Sequence, residues 1–402
     1  MNSPYNLISV YRLIQTIVLV SIFSGLESCK NNNMVMNNDI TPIIISDYKK
    51  GKININELVD SIAYIPLQTS ENILLSNIIC AKQDKDKYFV QDSKGLYIFD
   101  GNGKYICEIG HRGQGPDEYY NLDCFYIDRK QKHVCIVSNV QRKIFRYMFN
   151  GELHSVLSME KDDANIFSVM PLKDDNSFLA HYALANKTKS TDREYALMSL
   201  DNDRFITDKL MDSPKIHSGE AIHQLIYYPM AYFKNSVFLL SAFSNILYIY
   251  DDNKVVGRYS VNIPGIAPEK DFLEKNRDME LFKLIEKMNE QKIGMGITAI
   301  ESTEYYLFLS INNKETLIWD GNRAILVEGI YNPQLNCYSN LMLSGGVSDE
   351  HLGVLQAEFI LNNKDCIVKG NNDDLAYIAE QISEDDNPIL FRFYFKKNLL
   401  SY

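Results

Sequence analysis

The side chains best placed for chemistry are two imidazoles six residues apart with an acid between them, His217-Ser218-Gly219-Glu220-Ala221-Ile222-His223. Imidazoles bind zinc or move protons near neutral pH. A zinc site needs a third ligand, which nothing nearby supplies, so the segment reads as a polar loop carrying two candidate ligand-binding histidines. The acid pairs Asp84/Asp86, Asp251/Asp252, Asp373/Asp374 and Asp385/Asp386 lack the alternating oxygen ligands and glycine of a calcium loop and read as solvated turns. Gly101-Asn102-Gly103 and the stretch Gly110 to Gly115 lack the strand–turn–helix setting of a phosphate cradle. No nucleophile, base and orienting group converge, so no catalytic residue, metal ligand or cofactor is assigned.

The elements that must position such residues are strands. The 402 residues include 26 Tyr and 19 Phe, which favours extended structure. A net charge of −11 argues against nucleic acid as a partner, because phosphate binding needs a basic surface. An aromatic-aliphatic strand, a polar turn and a second strand recur around Asp100, Asn150, Asp201, Asp251 and Asp320, in steps of 50, 51, 50 and 69 residues. These are hairpin signals, and a period near 50 matches a four-stranded propeller blade. The one long step contains Pro268 to Lys292, whose apolar residues carry helical spacing.

A sixth unit fits from about Asn340. Leu341 to Leu343 and Gly353 to Ile360 read as strands, Asp373 to Ile382 as a short helix, and Asn387 to Phe395 as a strand. Ser61 to Gln68 has no room in blade one and is expected to close the ring as the outermost strand of blade six. The expected fold is all-β: a six-bladed β-propeller with a helical insertion between blades four and five and a short helix in blade six.

Between the first two units lies Ile109-Gly110-His111-Arg112-Gly113-Gln114-Gly115-Pro116-Asp117-Glu118-Tyr119. This turn resembles the G-x-x-G-x-G-P-G-E-Y signature of the six-bladed β-propeller lipoproteins of Gram-negative gut bacteria, with Asp117 in place of a glycine. Asp386-Asn387-Pro388 before an aliphatic-aromatic strand resembles the same family, and the likeness runs from Ile40 to Lys397. Gly110, Gly113, Gly115, Pro116, Glu118 and Tyr119 are expected to form a structural turn locking blade one to blade two. His111 and Arg112 are left as candidates for ligand contact, Arg112 being equally able to pair with Glu118 or a carbonyl.

The N-terminus reads as a targeting signal. Arg12 precedes Leu13 to Leu26, which is apolar but too short to span a bilayer. Leu26-Glu27-Ser28-Cys29 resembles a lipobox, which implies lipidation of Cys29. The expected organisation is a signal peptide over 1–28, a flexible tether over 29–40 and the propeller over 41–402, lipid-anchored in the cell envelope at the outer membrane. Cys124 and Cys135 flank a turn at Arg129-Lys130 and are positioned to face each other across a hairpin, as a disulfide or as two small buried hydrophobes.

In a propeller with strands a to d from the axis outward, the d-to-a and b-to-c connections share one face. The longest connections, Gly110–Tyr120, Met211–Tyr228, Ile263–Gly296 and Val327–Asn340, fall there, and binding usually resides on long loops carried by a rigid scaffold. They bear His111, Arg112, Tyr119, Tyr120, His217, His223, Tyr227 and Tyr228. The expected function is a non-catalytic envelope scaffold binding a glycan, peptide or protein. The alternative is a periplasmic hydrolase or lactonase-like enzyme, because some six-bladed propellers hold a catalytic calcium in the channel. The innermost strands show no clear Glu/Asn/Asp set for such an ion.

Overall fold

Each of the five polar turns closes an antiparallel hairpin in the computed structural model, which describes residues 34–35, 40–159, 165–172, 177–182, 193–201, 204–214, 216, 225–226, 228–333, 335, 337–339, 351–370 and 373–400. Leu96–Asp100 pairs with Tyr105–Glu108, Lys143–Met148 with Leu153–Ser158, and Arg193–Asp201 with Arg204–Asp212. Ile246–Asp251 pairs with Lys254–Ser260, and Glu315–Trp319 with Ala324–Asn332. These hairpins are the outer strands c and d of blades one to five. The inner strands a and b are Ile78–Asp84 and Lys87–Asp92 in blade one, Cys124–Asp128 and His133–Ser138 in blade two, and Ile166–Pro171 and Ser177–Tyr182 in blade three. Met230–Phe233 and Ser236–Leu240 serve blade four, and Ile297–Ser302 and Leu307–Ile311 blade five. The sheets stand in a ring as a six-bladed β-propeller.

The b strands are buried along nearly all of their length, His133–Ser138 throughout. Both faces of such a strand meet a neighbouring blade, so the sequence there is a continuous apolar run rather than an alternation. The ring closes through blade six, where His351–Leu355 pairs with Ile389–Phe395 and the latter pairs with Val59–Pro66 from the start of the chain. The N-terminal strand thus takes the outermost position expected of it.

The chain reaches that strand along the outer wall. Met34–Val35 and Thr41–Pro42 run parallel to strand d of blade four, and Ile45–Asn54 runs parallel to strand d of blade five. Only then does a single helical turn, α1 (Ile55–Leu58), lead into blade six. Asn54 Oδ1 accepts from the Asn56 N–H at 3.0 Å and Glu57 Oε1 from the Asn54 N–H at 3.4 Å, a reciprocal cap that fixes the corner. These added edge strands lie within and just after the stretch expected as a tether.

The interval between blades four and five is helical, with α2 (Lys270–Lys275) and α3 (Leu281–Glu290). Leu281, Leu284 and Met288 bury one face of α3 in the same apolar cluster as Ala242, Phe243, Ile297 and Ile311. Among the described residues blade six holds three helices rather than one: α4 (Ala357–Asn362), α5 (Lys364–Val368) and α6 (Asp373–Gln381). The strand expected over Gly353 to Ile360 stops at Leu355, because Ala357 and Ile360 bury at helical spacing against blade six. Val327–Asn340 is not wholly a loop: strand d continues to Asn332, and Cys337–Ser339 folds back on Ile330–Asn332. The strand expected at Leu341 to Leu343 lies outside the described residues.

No disulfide joins Cys124 to Cys135. The hairpin forms, but its register sets Cys124 opposite Val137 and Cys135 opposite Tyr126, and both are free thiols.

Candidate binding face

Antiparallel pairing sends every d-to-a and b-to-c connection to one end of the blades, and buried and half-buried polar side chains stitch that end together. Asp92 accepts from the N–H groups of Ser76, Lys94 and Gly95 at 2.7–2.9 Å. Asn139, in the b-to-c turn of blade two, accepts from the Ile166 N–H and donates to the Ile166 carbonyl, both at 2.9 Å. Asn312 accepts from the N–H groups of Met295 and Gly296 as they enter blade five. Asn387 accepts from the Leu75 N–H at 2.7 Å and donates to the Gln68 and Ile73 carbonyls at 2.7 and 3.0 Å, joining blade six to the connection that enters blade one. Each amide or carboxylate thus takes up backbone groups of the connection beside it.

The glycine-proline turn is built around two side chains. Glu118 folds back so that its Oε2 accepts from the Gly115 N–H at 2.9 Å, and a β-carbon on Gly113 would fall 1.8 Å from that oxygen. Gly110 has φ +58°, and a β-carbon there would lie 2.4 Å from the Tyr147 ring of blade two. The Tyr147 hydroxyl donates to the Asp117 carbonyl at 3.1 Å, and the Tyr119 ring meets that of Tyr147 edge-on. Tyr119 is fully buried. Pro116 stands in the same turn between Gly115 and Asp117. These contacts bind the connection to blade two.

His111 and Arg112 project from it. His111 Nδ1 lies 3.2 Å from Glu108 Oε2, and Arg112 Nη1 donates to the Ser93 carbonyl at 2.6 Å. Burial raises the Glu108 carboxyl above its usual range, and His111 partly offsets that. Tyr228 stands elsewhere on the same end: its carbonyl accepts from the Ile300 N–H at 2.9 Å beside strand a of blade five. Burial is the main cause that raises its phenol, followed by Glu301 of blade five and Cys80 of blade one.

His111, Arg112 and Tyr119 are brought together, and Tyr228 is separate from them. His217, His223, Tyr227 and Cys29 lie outside the described residues. Among the described residues no three His, Cys, Asp or Glu side chains gather as metal ligands.

Exposed apolar side chains mark this end most clearly. Seven of the eleven large hydrophobics that stand exposed among the described residues belong to it: Leu74, Ile79, Tyr120, Val140, Phe282, Val368 and Tyr377. The other four, Ile44, Tyr48, Ile106 and Ile206, sit on the outer wall, and none is in an a-to-b or c-to-d turn. Of the seven, only Tyr120 is anticipated from the sequence: Leu74 and Val140 are single apolar residues in loops with no periodic signal, and Ile79, Phe282, Val368 and Tyr377 lie in strands or helices, where apolar residues are expected to face the core.

The architecture is that of a six-bladed β-propeller with one elaborated end. The chain belongs to the DUF4934 family, described as a domain of unknown function, whose profile matches residues 40–394. It is similar in structure to a protein of Bacteroides fragilis provisionally described as exported, with a TM-score of 0.67 at 21% identity, covering 87% of this chain and 99% of that one. A member of the DUF4221 family from Bacteroides vulgatus matches with a TM-score of 0.49 at 11% identity, covering 84% and 97%. No curated protein matches the sequence. No helix among the described residues is long and apolar enough to cross a membrane.

Proposed function

We propose that this protein is a non-catalytic, exported scaffold of the cell envelope, anchored through a lipidated Cys29 at the outer membrane, that binds a glycan, peptide or envelope protein with its long-loop end. The observation that carries the reading is the gathering of exposed apolar side chains on that end of a rigid ring, with none among the described residues of the short turns at the other. Isolated exposed hydrophobics are ordinary, but their confinement to one end of a scaffold marks an interaction surface. The anchor rests on the lipobox-like Leu26-Glu27-Ser28-Cys29 and on the apolar segment before it.

Two experiments test the two halves of this reading. Full-length protein applied to combined glycan and peptide arrays is expected to bind a restricted set of ligands. A Leu74→Ser, Tyr120→Ala, Val140→Ser variant should lose that binding without loss of thermal stability. Equal binding by this variant would move the surface elsewhere. Cys29→Ala should leave the detergent phase of a membrane extraction, and its retention there would end the case for a lipid anchor.

A further inference from the structure

A recess of about 300 Å³ opens on the long-loop end, between the last turn of α6 and the connection that leads from the ring-closing strand into blade one. Its volume is at the lower edge of the range of roughly 300–1,000 Å³ for small-molecule sites. Leu67 and Ile378 form apolar wall, while Thr69, Gln381 and Asp386 supply polar atoms. Tyr377 stands on the lining with 62% of its surface exposed, an aromatic face turned to solvent on a helix whose other side is packed.

The recess is rich in acceptors and carries no positive charge. Among the described residues no lysine, arginine or histidine lines it. Asp386 Oδ2 accepts from the Ser383 N–H and hydroxyl, which favours the carboxylate, so a negative charge is fixed at one wall. Gln381 is the last residue of α6, whose final turn has no basic residue, and the carbonyl end of a helix carries partial negative charge. An anionic ligand is repelled by all of these features. A ligand that fits must bring several hydroxyl or N–H donors and an apolar face to lie on the tyrosine ring.

We infer that the recess is a subsite for a neutral sugar unit, which stacks on Tyr377 and donates hydroxyls to Gln381 and Asp386. This rests on the reading of the long-loop end as a binding surface and names the class of ligand that one part of it takes. Tyr377 and Gln381 are solvent-facing helical positions, so their substitution leaves the core untouched.

The test is saturation-transfer NMR on the full chain in detergent with glucose, galactose, mannose, xylose, galacturonate and 1,4-diaminobutane as probes. At least one neutral sugar should take up saturation, and galacturonate and the diamine should not. Tyr377→Ala should weaken the response roughly tenfold, as loss of a stacked ring implies, while Tyr377→Phe should keep it. Gln381→Ala should weaken it severalfold. No response from any neutral sugar, an unchanged response in Tyr377→Ala, or preferential binding of the diamine or galacturonate would each overturn the assignment. The Leu74/Tyr120/Val140 variant separates the two readings. Sugar binding that survives in it leaves this subsite standing alone, and array binding that survives Tyr377→Ala leaves the wider surface without it.

Discussion

A β-carbon added to Gly151 would lie 2.5 Å from the carbonyl oxygen of Glu108, the last residue of the preceding blade's outer strand. Gly103 repeats the relationship one blade earlier, at 2.0 Å from the Pro66 carbonyl at the end of blade six's outer strand. Both glycines sit in c-to-d turns with φ of +87° and +80°. The turn of one blade therefore rests directly on the backbone of the blade before it, with no room for a side chain. Gly151→Ala combines a strained left-handed residue with a backbone clash, and a loss on the order of 2–4 kcal/mol is expected. Gly101 is the control: its φ is not positive, and a β-carbon there meets nothing closer than 3.4 Å, so Gly101→Ala should be near neutral. Differential scanning calorimetry of both variants decides the point, and equal melting temperatures would show that the blades do not rely on this contact.

Asn387 is the second joint of the ring, with 2% of its surface exposed and its amide fully used between Leu75, Gln68 and Ile73. Removal of the side chain takes the acceptor from the buried Leu75 N–H and the donors from the Gln68 and Ile73 carbonyls, the latter keeping only the Ser70 N–H at 3.3 Å. A loss of about 3 kcal/mol is expected for Asn387→Ala. Asn387→Asp keeps the shape but places an acceptor against two carbonyls, so it should be no better than alanine. Urea titrations that gave wild-type midpoints for either variant would remove Asn387 from the closure.

The ring was legible in the sequence because its c-to-d turns must be short and polar, which puts Asp, Asn and Gly at a fixed period. The insertion at α2 and α3 was legible for a related reason, since Leu281, Leu284 and Met288 carry a helical spacing that no strand would use. The outer-wall strands were not legible. Ile45–Asn54 is ISDYKKGKIN, a polar segment that joins a sheet edge through its backbone and so leaves no apolar alternation. Phe359-Ile360-Leu361 in α4 is a short apolar run, which strand and helix share. Asn387 stood out only as part of a family-like motif, because its partners Gln68, Ile73 and Leu75 are more than 300 residues away in the chain. The candidate site was half legible. Arg112 and Tyr228 are assigned to the long-loop end through loop length, whereas Leu74, Val140 and Tyr377 depend on which side of a loop or helix faces solvent.

The thiols give a chemical check on blade register. Cys366 is exposed, whereas Cys135 is buried and Cys124 half-buried, and burial pushes both of their thiols up to about 12. The thiolate is the reactive form, so native protein should modify rapidly at Cys366 and not at Cys124 or Cys135. Under denaturing conditions without reductant, all three should react with dithionitrobenzoate. A missing pair of thiols assigned by mass spectrometry to Cys124 and Cys135 would contradict the register of blade two.

Two buried ionisable groups in blade three give stability opposite slopes with pH. Burial pushes the Glu194 carboxyl up to about 7, although the Ser241 hydroxyl donates to its Oε2 at 2.5 Å and the Ala242 N–H to its Oε1 at 2.8 Å. The folded state then holds a proton that the unfolded chain has released above about pH 4.5, so stability falls as pH rises from there through 7. Burial pushes His181 down to about 3, so the folded state refuses a proton that the unfolded chain binds below about 6.5. Its contribution is complete above that pH and is lost as pH falls towards 3. Between these limits the two effects oppose each other, and above pH 7 only the cost of the ionised Glu194 remains, on the order of 3 kcal/mol. Glu194→Gln keeps an acceptor for Ala242 and offers Ser241 a donor, so it should raise the unfolding free energy at pH 8 and match wild type near pH 4. Denaturant titrations at those two pH values check it. A variant less stable than wild type at pH 8 would mean that the carboxylate is held by more than these two hydrogen bonds.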